Sequence, residues 1–180
     1  MKKWVLAIVI VGMLGLVVYE YVLAPSAGST VEKYDADTGK IGNRKGDTPL
    51  DFKLTTLEGK TVKLSDFKGE RIMLNFWATW CPPCRAEMPD MQKFQANNDV
   101  LVLAVNLTDT ESDPANVQKF IDEYELTFTV PLDEESEVAN LYQIVAYPTT
   151  FMIDSKGRIQ FVMMGAMNYD MMVQQFEMLE

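Results

Sequence analysis

Three patterns of apolar and polar positions follow one another along this 180-residue chain, and each predicts different structure. Val5 to Val18 carries no charge, and the run extends to Ala24 with Glu20 as its only interruption. Residues 25–45 are rich in Ser, Gly, Asp, Thr and Lys with few apolar residues, which reads as a flexible, solvated linker. From residue 46 to 180, short apolar runs alternate with amphipathic ones, as expected of a single folded domain.

Within that domain, Phe52 to Leu54 and Val62 to Leu64 flank Leu57-Glu58-Gly59-Lys60, a hairpin signal. Ser65 to Gly69 suggests a brief helical turn. The apolar run Ile72 to Trp77 predicts a strand, followed by a helix from Cys81 to about Ala96 with Met88, Met91 and Phe94 inward. Pro82 suits a first helical position, and Pro89 is expected to kink the helix by removing one hydrogen bond. Val100 to Val105 reads as a strand buried on both faces. Asp113-Pro114 opens an amphipathic helix through Val117, Phe120, Ile121 and Tyr124. Phe128 to Leu132 predicts another strand, and Asp133 caps a helix carrying Val138, Leu141 and Tyr142. Thr149 to Ile153 and Ile159 to Met163 form a closing hairpin, and Met172, Phe176 and Leu179 face a last helix inward. Strands alternating with helices give an α/β class with a mixed sheet covered on both faces.

The N-terminal run, residues 1–24, is long enough to span: helix at about 1.5 Å per residue over this length reaches roughly 30 Å, the thickness of a bilayer's hydrocarbon core. Lys2 and Lys3 ahead of it favour a cytoplasmic N-terminus and an outward-facing domain. A cleaved signal peptide is the rival reading, because Ala24-Pro25-Ser26 is a small-x-small site; span length favours a retained signal-anchor. Both readings make the domain extracytoplasmic, the compartment where disulfides persist.

A net charge of −10 without a sizeable basic cluster argues against nucleic acid as a partner. Ten acidic residues lie between Asp109 and Glu137 against Lys119 alone, a pattern that usually marks a solvated face. Six of the twelve methionines fall between Met163 and Met178 and read as gap-filling core. The sequon Asn106-Leu107-Thr108 at a strand end reads as incidental. No histidine is present, so triads built on histidine are excluded, and two cysteines alone cannot supply the four ligands of a structural zinc site. No metal or cofactor is implied.

The candidate chemistry lies in Trp80-Cys81-Pro82-Pro83-Cys84. Arg85 stands where covalent haem attachment would need histidine. A loop this short makes a poor structural staple, because the stabilisation grows with loop length. A pair at this spacing on a helix N-terminus can instead cycle between dithiol and disulfide. Cys81, first at the helix end, is expected to be the exposed nucleophile and Cys84 the buried resolving thiol. Glu87, one turn beyond Cys84, is positioned to exchange a proton with the resolving thiol; the alternative is an ordinary first-turn glutamate favoured by the helix dipole.

Phe76-Trp77-Ala78-Thr79-Trp80-Cys81-Pro82-Pro83-Cys84 resembles the active-site turn of the thioredoxin superfamily. Leu74-Asn75-Phe76-Trp77 with Cys84, Glu87 and Pro89 is most similar to its membrane-tethered ResA/TlpA/StoA branch, as are Tyr147-Pro148-Thr149-Thr150-Phe151 and Thr48-Pro49-Leu50-Asp51-Phe52. The resemblance covers about residues 46 to 180 and implies a thioredoxin-like fold with an N-terminal β-hairpin and a central α-β insertion, preceded by one transmembrane helix. It implies that Glu87 takes the proton-handling part played in thioredoxins by an aspartate at the position of Asn75. It also implies a cis bond before Pro148, a substrate groove walled by Trp80, Pro82, Tyr147, Pro148 and Gly165, and a core position for Trp77; a plain turn glycine is the alternative at Gly165.

The implied activity is thiol-disulfide exchange, in the direction of reducing protein disulfides of the cytochrome c maturation or spore envelope assembly type. A membrane electron donor of the CcdA/DsbD type would recharge the pair. A disulfide oxidant of the same fold is an alternative. A peroxiredoxin-like peroxidase would require Pro and Thr at Leu74 and Ala78, or at Trp77 and Cys81, and neither placement fits.

Overall fold

The computed structural model describes residues 39–179. In chain order its elements are β1 (Ile41–Gly42), β2 (Thr48–Pro49), β3 (Lys53–Thr56), β4 (Thr61–Lys63), a 3₁₀ turn (Leu64–Phe67), β5 (Ile72–Trp77), α1 (Pro82–Asn97), β6 (Leu101–Asn106), a second 3₁₀ turn (Thr108–Thr110), α2 (Ala115–Glu123), β7 (Pro131–Leu132), α3 (Glu137–Leu141), β8 (Thr149–Ile153), β9 (Ile159–Met164) and α4 (Tyr169–Phe176). Seven strands form one mixed sheet in the order β4-β3-β7-β6-β5-β8-β9. β5 lies parallel to β6 and antiparallel to β8. β1 and β2 make a separate short parallel pair.

All six residues of β5 are buried, and the period of two along a strand divides them between two cores. Ile72, Leu74 and Phe76 join Phe52, Val105, Tyr142 and Phe151 on one face. Phe76 packs its ring 5.3 Å from Tyr142 and 6.0 Å from Phe151, the kind of aromatic contact that adds about 0.5–1.5 kcal/mol per pair beyond area burial. Met73 and Trp77 face the other way, onto Met88, Met91 and Phe94 of α1 and Phe120 of α2. The Trp77 indole donates to Ala104 O at 3.1 Å, so this buried ring leaves no unpaired N–H. Asn75 shares the α1 face and is the one polar side chain in β5.

Several elements differ in extent from the sequence expectation. The strand expected over 128–132 is reduced to Pro131–Leu132. Thr129 touches Leu103 only through an isolated bridge, and Val130 O is taken by Leu57 N at 2.9 Å. Pro131 has no N–H to extend the ladder, which keeps this strand short. α1 continues through Pro89 to Asn97. Residues 39–45, which composition assigns to the linker, are tied to the domain: Thr48 N donates to Lys40 O at 2.8 Å, and Asn43 Nδ2 to Tyr142 O at 2.7 Å. The methionine-rich segment is divided, with Met167 and Met172 buried and Met164 and Met178 exposed.

No helix among the described residues is long and apolar enough to cross a membrane. The expected anchor over 1–24 and most of the expected linker lie outside the described residues.

Candidate active site

β5 ends at Trp77, and Ala78-Thr79-Trp80 carries the chain from the sheet edge into α1. Cys81 is the N-cap of that helix, with extended backbone, and its Sγ accepts from Cys84 N at 3.3 Å. Pro82 and Pro83 occupy the first helical positions, where a missing N–H leaves no helical bond unmade. Cys81 and Cys84 form a disulfide with Cα atoms 5.3 Å apart. In this oxidised state Cys81 keeps 3 % of its surface and Cys84 none. The nucleophile expected to be exposed is thus nearly covered, and the exposed surface of the turn belongs to Trp80 and the two prolines.

The sheet brings a second loop to the same end. Phe76 pairs with Thr149, so Pro148 and Tyr147 overhang the carboxyl end of β5. The Tyr147-Pro148 bond is cis. Trp80, half exposed, meets the Tyr147 ring edge-on at 5.9 Å. Pro148 O accepts from Gly165 N at 2.7 Å, which places Gly165 against the same loop. Gly165 has φ +110°, a backbone conformation that disfavours a side chain. Three segments thus meet at this end of the sheet: Trp80 and Pro82 flank Cys81 in sequence, Trp80 touches Tyr147, and Pro148 is bonded to Gly165.

Behind the disulfide, Glu87 is 1 % exposed. Its Oε1 accepts from Asn75 Nδ2 at 2.9 Å, and its Oε2 from Met167 N at 3.0 Å. Burial pushes its carboxyl up to about 7, against the opposing pull of those two hydrogen bonds. One turn along the same helix face from Cys84, this is a group able to hold or release a proton near neutrality. Asn75 Nδ2 also donates to Thr150 Oγ1 at 2.9 Å, while its Oδ1 has no partner among the described residues.

Sequence reading passed over Glu111. Its carboxylate accepts from Thr79 N at 2.7 Å, from Asn106 Nδ2 at 3.1 Å and from the Thr79 hydroxyl. Trp80 Nε1 donates to Thr110 Oγ1 at 3.1 Å, and Arg85 donates to Thr79 O at 3.2 Å while its guanidinium lies 5.1 Å from the Phe120 ring centroid. The insertion after β6 thereby clamps the turn that presents Cys81. Glu111→Ala would leave the Thr79 and Asn106 donors without their acceptor, and a loss of about 1–3 kcal/mol in unfolding free energy is expected, measured by denaturant titration of the oxidised chain.

Residues 46–162 match the AhpC/TSA family. Over 99% of both chains, the protein is 38% identical to the thioredoxin-like protein YneN of Bacillus subtilis. It is 46% identical to the thiol-disulfide oxidoreductase ResA of Oceanobacillus iheyensis, over 74% of this chain and 71% of that one. Among solved structures, StoA of Bacillus subtilis superposes with a TM-score of 0.63 and 33% identity, covering 71% of this chain and 97% of StoA.

Proposed function

This chain belongs to the AhpC/TSA family and is a thioredoxin-like thiol-disulfide oxidoreductase of the ResA/StoA type, and from that premise we propose that it is a membrane-tethered, extracytoplasmic reductase of protein disulfides. The observation that carries the reading is the Cys81–Cys84 disulfide at the head of α1 with Glu87 buried behind it. In the reduced enzyme, the Cys81 thiolate, favoured by the helix N-terminus, attacks one sulfur of a substrate disulfide. That S–S bond breaks, one substrate sulfur leaves as a thiolate, and a mixed disulfide forms. Cys84 then gives its proton to Glu87 and attacks Cys81 Sγ; the Cys81–Cys84 bond closes and the second substrate sulfur leaves. Two electrons have passed from the pair to the substrate.

The substrate would lie as an extended chain beside the cysteines. Trp80 and Tyr147, in edge-on contact, and Gly165, bonded to cis-Pro148, would border it, with the Tyr147 backbone pairing with the substrate strand. Recharging requires a dithiol donor, and a membrane carrier of the CcdA/DsbD type fits a domain tethered through residues 1–24. The cytochrome c maturation type and the spore envelope type both suit this chemistry.

The test is the equilibrium potential of the Cys81/Cys84 pair, titrated against a glutathione or dithiothreitol series. A strongly reducing value, near that of thioredoxin at about −270 mV, is expected. A value near that of a strong oxidant, about −120 mV, would reverse the direction and make the protein a disulfide donor.

A further inference from the structure

The buried amide of Asn75 has a feature that a passive core residue would not need. Both hydrogens of its Nδ2 are used, one on Glu87 Oε1 and one on Thr150 Oγ1, each at 2.9 Å. Its Oδ1 meets no donor among the described residues, and the residue has no exposed surface. An unpaired buried oxygen costs roughly 1–3 kcal/mol. An apolar residue of similar shape would carry no such penalty, and the position therefore serves the partners that the other end of the amide holds.

Those partners change character with one proton. Ionised Glu87 can only accept, which suits two N–H donors, from Asn75 and from Met167. Protonated on Oε1, the carboxyl becomes a donor and would point O–H at N–H. Protonated on Oε2, it would do the same to the fixed Met167 N–H. The relief open to this site is a half-turn of the Asn75 amide, which presents Oδ1 to Glu87 and to the Thr150 hydroxyl. Two O–H groups then donate to one carbonyl oxygen, and Nδ2 takes the unpartnered place. The titratable side chains in the core on this face are Cys81, the N-cap of α1, and Cys84, with Tyr147 packed against that core; Asp90 of α1 is engaged by Tyr169 N at 3.1 Å. Glu87 has no cationic partner among its hydrogen bonds.

We propose that Asn75 is a positioning residue whose side-chain amide turns over with the proton state of Glu87, donating to Glu87 and Thr150 in one state and accepting from both in the other. This rests on the reading of Glu87 as the group that exchanges a proton with Cys84. Thr150 lies two residues beyond cis-Pro148 on β8, so each proton transfer during exchange rewrites the hydrogen bond that joins the centre of the sheet to the strand carrying the substrate loop. A titrating residue at position 75 would compete with Glu87 for the proton; an amide reorganises around it instead.

The experiment compares four forms of the full-length chain, reduced: the wild type, Asn75→Leu, Glu87→Gln and the double variant. Thiol alkylation rates are followed against pH. Asn75→Leu removes a donor to the Glu87 anion, so the midpoint attributed to Glu87 is expected to rise by about one pH unit. In the Glu87→Gln background the same substitution is expected to change nothing further. An unmoved midpoint, or an equal shift with Gln at position 87, overturns the role of Asn75. If Glu87→Gln alone leaves the wild-type profile unchanged, it is the acid–base reading of Glu87 that fails. Asn75→Ser, smaller and unable to span both partners, replaces the leucine variant if that one does not fold. The turnover itself is read on the Asn75 side-chain 1H–15N signals, which are expected to follow the Glu87 midpoint in the wild type and stay fixed in Glu87→Gln. Signals that stay fixed in the wild type exclude it.

Discussion

Cys81→Ser is expected to abolish disulfide exchange, with turnover falling to the uncatalysed background, whereas Cys84→Ser is expected to halt the cycle halfway and accumulate a mixed disulfide. The asymmetry follows from position. Cys81 caps α1 directly after the half-exposed Trp80, and Cys84 is wholly buried one turn inside. A serine at position 81 supplies no thiolate to attack, and Cys84 has no surface through which a substrate could reach it. A serine at position 84 leaves the first attack intact and removes only the resolving step. The measurement is reduction of a model protein disulfide, together with a non-reducing gel of each variant mixed with oxidised substrate. If Cys84→Ser forms no adduct while Cys81→Ser does, the roles are exchanged.

Glu87→Gln is expected to flatten the pH dependence of folding stability by on the order of 3 kcal/mol. The sign follows from the raised carboxyl. Burial moves Glu87 from 4.5 to about 7, so between those values the folded chain holds a proton that the unfolded chain releases. Stability from this residue is full below about pH 4.5 and declines as pH rises, until the loss is complete above about 7. A shift of about 2.5 units, at 1.36 kcal/mol per unit, gives the magnitude. Denaturant unfolding of the oxidised chain isolates the effect, because the disulfide removes both thiols from the titration. Equal slopes for wild type and variant over this range would show that Glu87 does not titrate there.

The outline of the site was legible because its parts are local. Two cysteines three residues apart and a glutamate one turn further share a helix face through periodicity alone. The cis-proline loop was reachable only through resemblance, since a Tyr-Pro step carries no signal of its isomer. In the sequence Asn75 marks only the position where thioredoxins carry an aspartate; its bond to Glu87 spans 12 residues and depends on α1 lying against the inner face of β5. Glu111 was read as part of an acidic, solvated stretch. Within that stretch the fold sets apart Glu111, which holds the active-site turn, while Asp133 accepts from Val138 N and Ala139 N at the start of α3, in keeping with the capping role its position predicts.

Sequence by itself determined the α/β class, the faces of α1 and β5, and the identity and spacing of the redox pair, because backbone periodicity and helix-end chemistry act over a few residues. Tertiary structure alone decided which distant polar groups meet. The parallel register that sets Trp77 beside Asn106 brings the segment after β6 to Thr79, and the antiparallel register that sets Asn75 beside Thr150 completes the contacts around Glu87. Burial in the dry interior raises the Glu87 carboxyl toward neutrality against the pull of the hydrogen bonds those meetings supply, because what a charge experiences depends on everything packed around it and not on its neighbours in the chain.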